Sequence, residues 1–391
     1  MDFVKKMISK SRMKRFAPYV FIELDKKKKE FQKRGKKIIS LAIGDPDIPT
    51  PSEIAKIASR EVRKSVNHSY PSGRGTVKLR RAIARWHHRR FGVNLDEEKE
   101  ILVLIGSKEG IAHLPFTLLN RGDTAIIPDP SYPAYKTGVI LSDGKIHKIP
   151  LLEKNGFLPD IKSIGGKVLG KTSIFFINYP NNPTGAFASR KFLREIVEAA
   201  KKHHFLIAQD AAYSELYFSK PAPSILEING ARDVAVEFHS LSKTFCMTGW
   251  RLAWLIGNRR VIQSLAALKE NIDSGQFNAI QETAVYALNH CERFARSIRK
   301  IYKGRRDFFS EQLQKYGWKI FASQGTFFLW ARPPIKINSL KCALKLLKEA
   351  GVLAAPGRGF GKNGEGYIRF SLTAPMPLLR QAAKSISRIK W

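Results

Sequence analysis

Lys243 follows an apolar run and stands among small hydroxyl side chains, in Ser240-Leu241-Ser242-Lys243. An amine placed there can condense with a carbonyl carbon if its surroundings keep it neutral. Asp210 closes a second apolar run, and Tyr213 follows three residues later. A carboxylate at the end of a buried strand can hold the positive charge of a protonated pyridine nitrogen. Gly106-Ser107 opens a helix-like stretch, with Lys108 next to it, and Arg251 lies eight residues beyond Lys243. A helix N-terminus with a guanidinium nearby suits a phosphate dianion. Tyr132 offers a ring that can stack on a flat heterocycle. Together with the polar Asn182, these groups describe a site for pyridoxal 5′-phosphate.

The elements that must position them are apolar runs at regular intervals: Ile101–Ile105, Thr124–Pro128, Ser173–Ile177, Phe205–Gln209, Asp233–Phe238 and Arg251–Ile256. Helical patterns separate them, and Ser189–His203 presents Phe192, Ile196 and Val197 on one face. Such alternation predicts a parallel sheet covered on both sides. In open sheets of that kind ligands bind beyond the carboxyl ends of the strands. Ser107, Tyr132, Asn182, Asp210 and Lys243 all follow such ends. The expected fold is therefore α/β: a large domain over 46–285, and a smaller α+β domain made of 1–45 and 286–391. The smaller domain is expected to hold strands near 326–331 and 367–371.

Composition bounds the alternatives. The chain has 391 residues, of which 43% are hydrophobic, enough for a large core. No apolar run approaches the length of a membrane span. The three cysteines, Cys246, Cys291 and Cys342, form no CxxC pair, so neither a disulfide scaffold nor a thiolate metal site is expected. This suits a reducing compartment, and the expected location is cytoplasmic. The formal net charge of +35 raises the question of nucleic acid. The basic residues are spread along the chain, without zinc-finger spacing or a stacked-aromatic RNA motif, so nucleic-acid binding is not expected as the main role. The basic stretch at 1–15 lacks an apolar h-region, and a loose basic N-terminus is the expectation.

Some motifs point elsewhere. Gly359-Phe360-Gly361-Lys362-Asn363-Gly364 matches GxGxxG but opens no helix, so a loop is expected rather than a dinucleotide turn. Ser240–Lys243 matches SxxK and Lys136-Thr137-Gly138 matches KTG, but they stand in the wrong chain order for penicillin-binding enzymes. His87-His88 and His203-His204 have no carboxylates at metal-ligand spacing and are expected to be solvated or half-buried.

The motifs Asn182-Pro183-Thr184-Gly185, Asp210-x-x-Tyr213, and Ser240-Leu241-Ser242-Lys243 followed by Gly249-Trp250-Arg251 resemble those of fold-type-I pyridoxal-phosphate aminotransferases of the aspartate aminotransferase class. The resemblance runs from about Arg12 to the C-terminus. It implies a mostly parallel seven-stranded sheet in the large domain, exchange of amino groups between small amino and keto acids, and a homodimer with shared active sites. It implies Lys243 as the lysine that holds the cofactor and moves the proton, Asp210 as the partner of the ring nitrogen, and Asn182 and Tyr213 at the ring's phenolic oxygen. Ser107, Lys108, Ser240 and Arg251 would surround the phosphate, with Ser242 a less favoured alternative to Ser240. Tyr70, in Tyr70-Pro71-Ser72-Gly73-Arg74-Gly75, would reach the phosphate of the neighbouring subunit. Arg369, in Tyr367-Ile368-Arg369-Phe370-Ser371, would clamp the substrate α-carboxylate, with Asn182 beside it. Gly44 would close over the substrate. Lys108-Glu109 after Ser107 departs from the small residue common in the wider class and is similar to the diaminopimelate branch.

That branch is also resembled by Ile105–His113, Phe176–Asn182 and Glu237–Lys243. It implies transfer of an amino group from glutamate to tetrahydrodipicolinate in lysine biosynthesis. A broader aminotransferase for alanine, aspartate or aromatic substrates is the alternative. A pyridoxal-binding regulator would need a DNA-binding segment for which the chain has no room.

Overall fold

The computed structural model describes residues 20–391 and, ahead of them, residues 3, 7, 15 and 16. The basic stretch at 1–15 thus falls mostly outside the described residues. In chain order the strands are β1 (Ile39–Leu41), β2 (Ile101–Leu104), β3 (Thr124–Asp129), β4 (Lys145–Pro150), β5 (Thr172–Asn178), β6 (Leu206–Asp210), β7 (Ala235–Ser240), β8 (Ala253–Gly257), β9 (Lys319–Ile320), β10 (Phe328–Arg332), β11 (Val352–Pro356) and β12 (Ile368–Ser371). The helices that matter for the site are α1 (Val20–Lys33), α2 (Ser107–Leu118), α3 (Tyr135–Leu141), α4 (Arg190–His203), α5 (Leu241–Thr244) and α6 (Arg259–Glu270).

Seven strands form the large sheet in the order β2-β8-β7-β6-β5-β3-β4. Only β8 runs against its neighbours. Alternate residues feed two cores: Ile101, Val103 and Trp254 on one face, Leu102, Leu104 and Leu255 on the other. A sheet covered on both faces needs apolar residues at nearly every position, which is why these strands read as continuous runs. The α/β expectation holds, with each predicted run within about two residues of its strand. β4 was not foreseen. It is an edge strand, Lys145-Ile146-His147-Lys148-Ile149-Pro150, with its charged residues toward solvent. Lysines on an edge block pairing with another sheet and also erase the apolar signal.

The second sheet has the order β1-β11-β12-β10-β9. β1 joins it through parallel pairing of Ile39–Leu41 with Val352–Ala354. The strands expected near 326–331 and 367–371 are β10 and β12, which pair antiparallel.

Local signals set the helix that precedes β6. Ser189 caps α4 by accepting the Phe192 N–H, and His204 closes it in the left-handed region at φ +57°. Phe192, Leu193, Ile196, Val197 and Ala200 form its buried face. The stretch at 359–364 is the expected loop, two 3₁₀ turns between β11 and β12. The Asp129 carboxylate accepts the Lys362 and Asn363 N–H groups and pins it. His87 corrects the expectation of a solvated or half-buried residue. It is buried, and its Nε2 accepts the Trp254 indole N–H at 3.0 Å. Its position on the inner face of the helix Val77–Phe91 buries it, and burial pushes its pKa down.

Candidate active site

Contacts between the two sheets converge at the carboxyl ends of β2, β3, β5, β6 and β7. There a cavity of about 520 Å³ is lined by Ser107, Tyr132, Asn182, Asp210, Tyr213 and Lys243 from one side, and by Gly44, Phe328, Phe360 and Arg369 from the other.

Lys243 reaches it from α5, a single turn directly after β7. Ser240 starts that turn by accepting the Ser242 N–H at 3.1 Å. Lys243 Nζ donates to the Gly44 carbonyl at 2.9 Å, so the catalytic candidate and the segment after β1 touch across the cavity. Burial lowers the Lys243 pKa to about 8, with Arg251 and Arg369 pushing the same way and Asp45 and Cys246 opposing. Above pH 8 the amine is mostly neutral, the form that can act as nucleophile or base.

Asp210 ends β6. Its Oδ2 accepts the Tyr135 hydroxyl at 2.8 Å and its Oδ1 the Ala212 N–H at 3.2 Å. Burial pushes its carboxyl up, and these two hydrogen bonds and His239 pull it back down. Asn178, at the end of β5, donates to the Asp210 carbonyl at 2.7 Å and accepts the Asn182 N–H at 2.8 Å. It thereby ties Asp210 to Asn182. Neither Tyr135 nor Asn178 was singled out from the sequence. Tyr135 stands on the first turn of α3, three residues after Tyr132, and Asn178 is the polar residue that follows the run 173–177 and ends β5.

Arg369 enters from β12. Its Nη1 donates to Asn182 Oδ1 at 2.7 Å and its Nη2 to the Ala42 carbonyl at 2.6 Å. Only 5% of it is exposed, and its guanidinium lies over the Phe328 and Phe360 rings at 4.0 and 4.5 Å. A Cβ on Gly44 would lie 2.4 Å from the Phe328 ring, so this wall admits no side chain there.

Of the residues expected around a phosphate, Ser107 lines the cavity, whereas Ser240, Arg251 and the neighbouring Gly106 lie outside its lining. Gly106 has φ +80°, and a Cβ on it would lie 2.2 Å from Arg251 Nη2. The guanidinium therefore sits directly against the turn that opens α2. Arg251 itself has φ +53° and donates from Nη1 to the Thr248 carbonyl at 2.8 Å. Ser240 is buried, and its Oγ donates to the Leu252 carbonyl at 3.4 Å. Ser242 is buried but outside the cavity lining. Lys108 is exposed and outside the lining, and Tyr70 is 89% exposed on the surface of its own chain. Asp25 of α1 does line the cavity, a contribution that the sequence did not suggest.

The profile of the family aminotransferase class I and II matches residues 36–386. The chain belongs to that family. An LL-diaminopimelate aminotransferase of Aquifex aeolicus is 46% identical over 380 residues, 97% of this chain and 98% of the relative. Substrate-bound BacF of Bacillus subtilis is 35% identical, with a TM-score of 0.93 and 96% of each chain covered. A probable N-succinyldiaminopimelate aminotransferase of Thermus thermophilus is 33% identical, with a TM-score of 0.90, covering 94% of this chain and 99% of that one. The chain is a transaminase of small amino and keto acids, and its family and fold imply pyridoxal 5′-phosphate as cofactor.

The residues present fit that cofactor. Asp210 is a buried carboxyl that a ring cation would hold ionised. Lys243 is an amine with a lowered pKa. The bare Gly106 lets the Arg251 guanidinium press against the turn that opens α2, where any side chain would displace it. Among the described residues no group of His, Cys, Asp or Glu could hold a metal ion, and no helix is long and apolar enough to cross a membrane.

Proposed function

We propose that this aminotransferase interconverts LL-diaminopimelate and tetrahydrodipicolinate, with glutamate and 2-oxoglutarate as the second pair, in lysine biosynthesis. The observation that carries the reading is the set of relatives named LL-diaminopimelate aminotransferase, 42–46% identical over 97% of this chain. In this reading Asp210 holds the cofactor's ring nitrogen, Asn182 and Tyr213 its phenolic oxygen, and Tyr132 its ring face. Gly106, Ser107, Ser240 and Arg251 surround the phosphate, with exposed Lys108 at the rim. Bound there, pyridoxal 5′-phosphate supplies a ring that accepts the electron density left when the substrate α-carbon loses its proton.

The chain's own residues do the rest. Arg369 binds the substrate α-carboxylate as a fork, with Asn182 fixing the guanidinium plane. The loop around Gly44 closes that side and excludes water. Lys243 Nζ takes the proton from the α-carbon and returns it, and its lowered pKa supplies the neutral base. Tyr135 holds the Asp210 carboxylate in orientation.

We further infer a homodimer in which Tyr70 of one chain reaches the phosphate end of the other, a cytoplasmic location, and domain limits at 46 and 285. The exposure of Tyr70 on its own chain, which leaves its hydroxyl available to another, supports the dimer. The test of the substrate is a half-reaction panel read from the cofactor spectrum. LL-diaminopimelate and glutamate should convert the bound cofactor faster than alanine, aspartate or phenylalanine. Equal rates across the panel would replace this reading with a broad-specificity aminotransferase.

A further inference from the structure

Lys269 of α6 has none of its side chain exposed. Its Nζ lies 2.6 Å from Asp273 Oδ1 and 3.5 Å from Glu109 Oε2. Glu109 is the third residue of α2. The same Oε2 accepts the N–H of Ile105 at 2.9 Å, the residue before Gly106, and Oε1 meets His113 Nδ1 at 3.2 Å. Asp273 Oδ1 also accepts the Gly275 N–H at 2.7 Å. Gly275 has φ +89°, and a Cβ on it would lie 2.7 Å from the carbonyl of Ser72, two residues after Tyr70. One buried ammonium thus stands between the turn that carries Gly106 and Ser107 and the loop that carries Tyr70.

Stability does not account for this arrangement by itself. Replacing a buried ion cluster with apolar side chains is often neutral or stabilising, because desolvation cancels the attraction. Electrostatics at the helix end offers a reason. A carboxylate in the first turn of a helix competes with a bound anion for the positive field of the N-terminus. Glu109 is needed there, since it fixes the Ile105 N–H and with it the shape of the turn. Uncompensated, its charge would oppose a phosphate at Ser107.

We infer that Lys269 is a positioning residue for the phosphate end of the cofactor site: it neutralises Glu109 and ties the Gly106 turn to the Tyr70 loop. The inference rests on the reading of Gly106, Ser107 and Arg251 as that end. It goes beyond it by assigning a role to a side chain outside the cavity.

The test compares the affinity of the cofactor-free full-length protein for pyridoxal 5′-phosphate and for pyridoxal, which lacks the phosphate. Lys269→Met should raise the dissociation constant for pyridoxal 5′-phosphate about tenfold, the scale of a charge at a partly buried helix end. The constant for pyridoxal should change much less. Adding Glu109→Gln, which keeps an acceptor for Ile105 but removes the charge, should restore most of the loss. A merely structural lesion would weaken both ligands alike and would not be rescued, and that result overturns the inference. Gly106→Ala, which drives a Cβ into Arg251, is the control for the underlying reading. If it too weakens both ligands equally, the phosphate end has been misplaced. If it is phosphate-selective and Lys269→Met is not, only the role of Lys269 falls. Should Lys269→Met not fold, Lys269→Gln, which keeps a polar group beside Asp273 but loses the charge, carries the same phosphate-selective prediction, and equal weakening of both ligands by it again overturns the role.

Discussion

Asp210 and Arg251, proposed for the two ends of one site, are supported in opposite ways. Asp210 is buried, and Tyr135, Ala212 and Asn178 all hold it from within its own chain. Arg251 is exposed, braced by a backbone carbonyl and the bare face of Gly106, and Tyr70 is exposed on the surface of its own chain. The ring end is thus complete within one chain. The proposed phosphate end has an exposed arginine, and in the proposed dimer a second chain would add donors there. A carboxylate that must stay oriented in a dry place needs internal partners, because each unsatisfied buried group is costly. A phosphate has many acceptor oxygens, and its donors can come from wherever charge and solvent access allow.

If that contrast is right, lesions at the ring end should reduce turnover most. Lys243→Ala should cut turnover by about 10⁴-fold, the upper range for loss of a general acid–base group, while cofactor is still retained through its phosphate. Steady-state turnover and cofactor content on the same sample check this. Asp210→Ala should cost about 10²–10³-fold in turnover, the range for removing a preorganised charge partner, with far less effect on cofactor occupancy. Activity within a few-fold of the parent would move the ring partner elsewhere.

Capture of added pyridoxal 5′-phosphate by the cofactor-free protein should follow the Lys243 amine. With a pKa of about 8, the neutral form grows as pH rises and is mostly present above that value. Capture should therefore run about a hundredfold slower at pH 6 than on its plateau above pH 8, as expected for a single titrating group. A midpoint near that of an ordinary lysine would show that burial does not tune this residue. Tyr135→Phe should lower turnover about tenfold, the value of one hydrogen bond to a charged group, without altering phosphate-dependent affinity.

The smallest effect belongs to Tyr70. Tyr70→Phe should weaken cofactor retention only a few-fold, in line with one charge-assisted hydrogen bond partly replaced by water. Mixing Tyr70→Phe chains with Lys243→Ala chains sharpens the comparison. One site of a mixed dimer then carries both lesions and the other neither, so tight retention with activity should reappear in the intact half. If chains exchange and nothing is restored, Tyr70 does not act across a subunit boundary.

The contrast also bears on what the sequence made legible. Asp210 ends a buried strand and Lys243 and Asn182 follow shortly after two others, where apolar runs announce the element and the polar residues after them stand out. The structure brings these three together with Arg369, which the motif around Ile368 marked from over a hundred residues away. Tyr135 and Asn178 were less visible because their roles consist of holding another side chain, and no pattern in a single chain encodes that pairing. Lys269 was hidden further: a lysine on an amphipathic helix reads as solvated, and only packing reveals that its neighbours bury it. The edge strand β4 and the short β1 escaped for a simpler reason, since charged or three-residue strands carry little apolar periodicity. Exposure was equally illegible. The YPSGRG context marked Tyr70, but only the folded chain shows that it faces solvent.

The central claim is that Lys243 holds the cofactor in this cavity. Borohydride reduction of the purified holoenzyme, followed by peptide mass mapping, tests it most directly. The account predicts a single phosphopyridoxyl adduct on the peptide containing Lys243, lost in Lys243→Ala. An adduct on another lysine, or none on a protein that carries the cofactor, would contradict it.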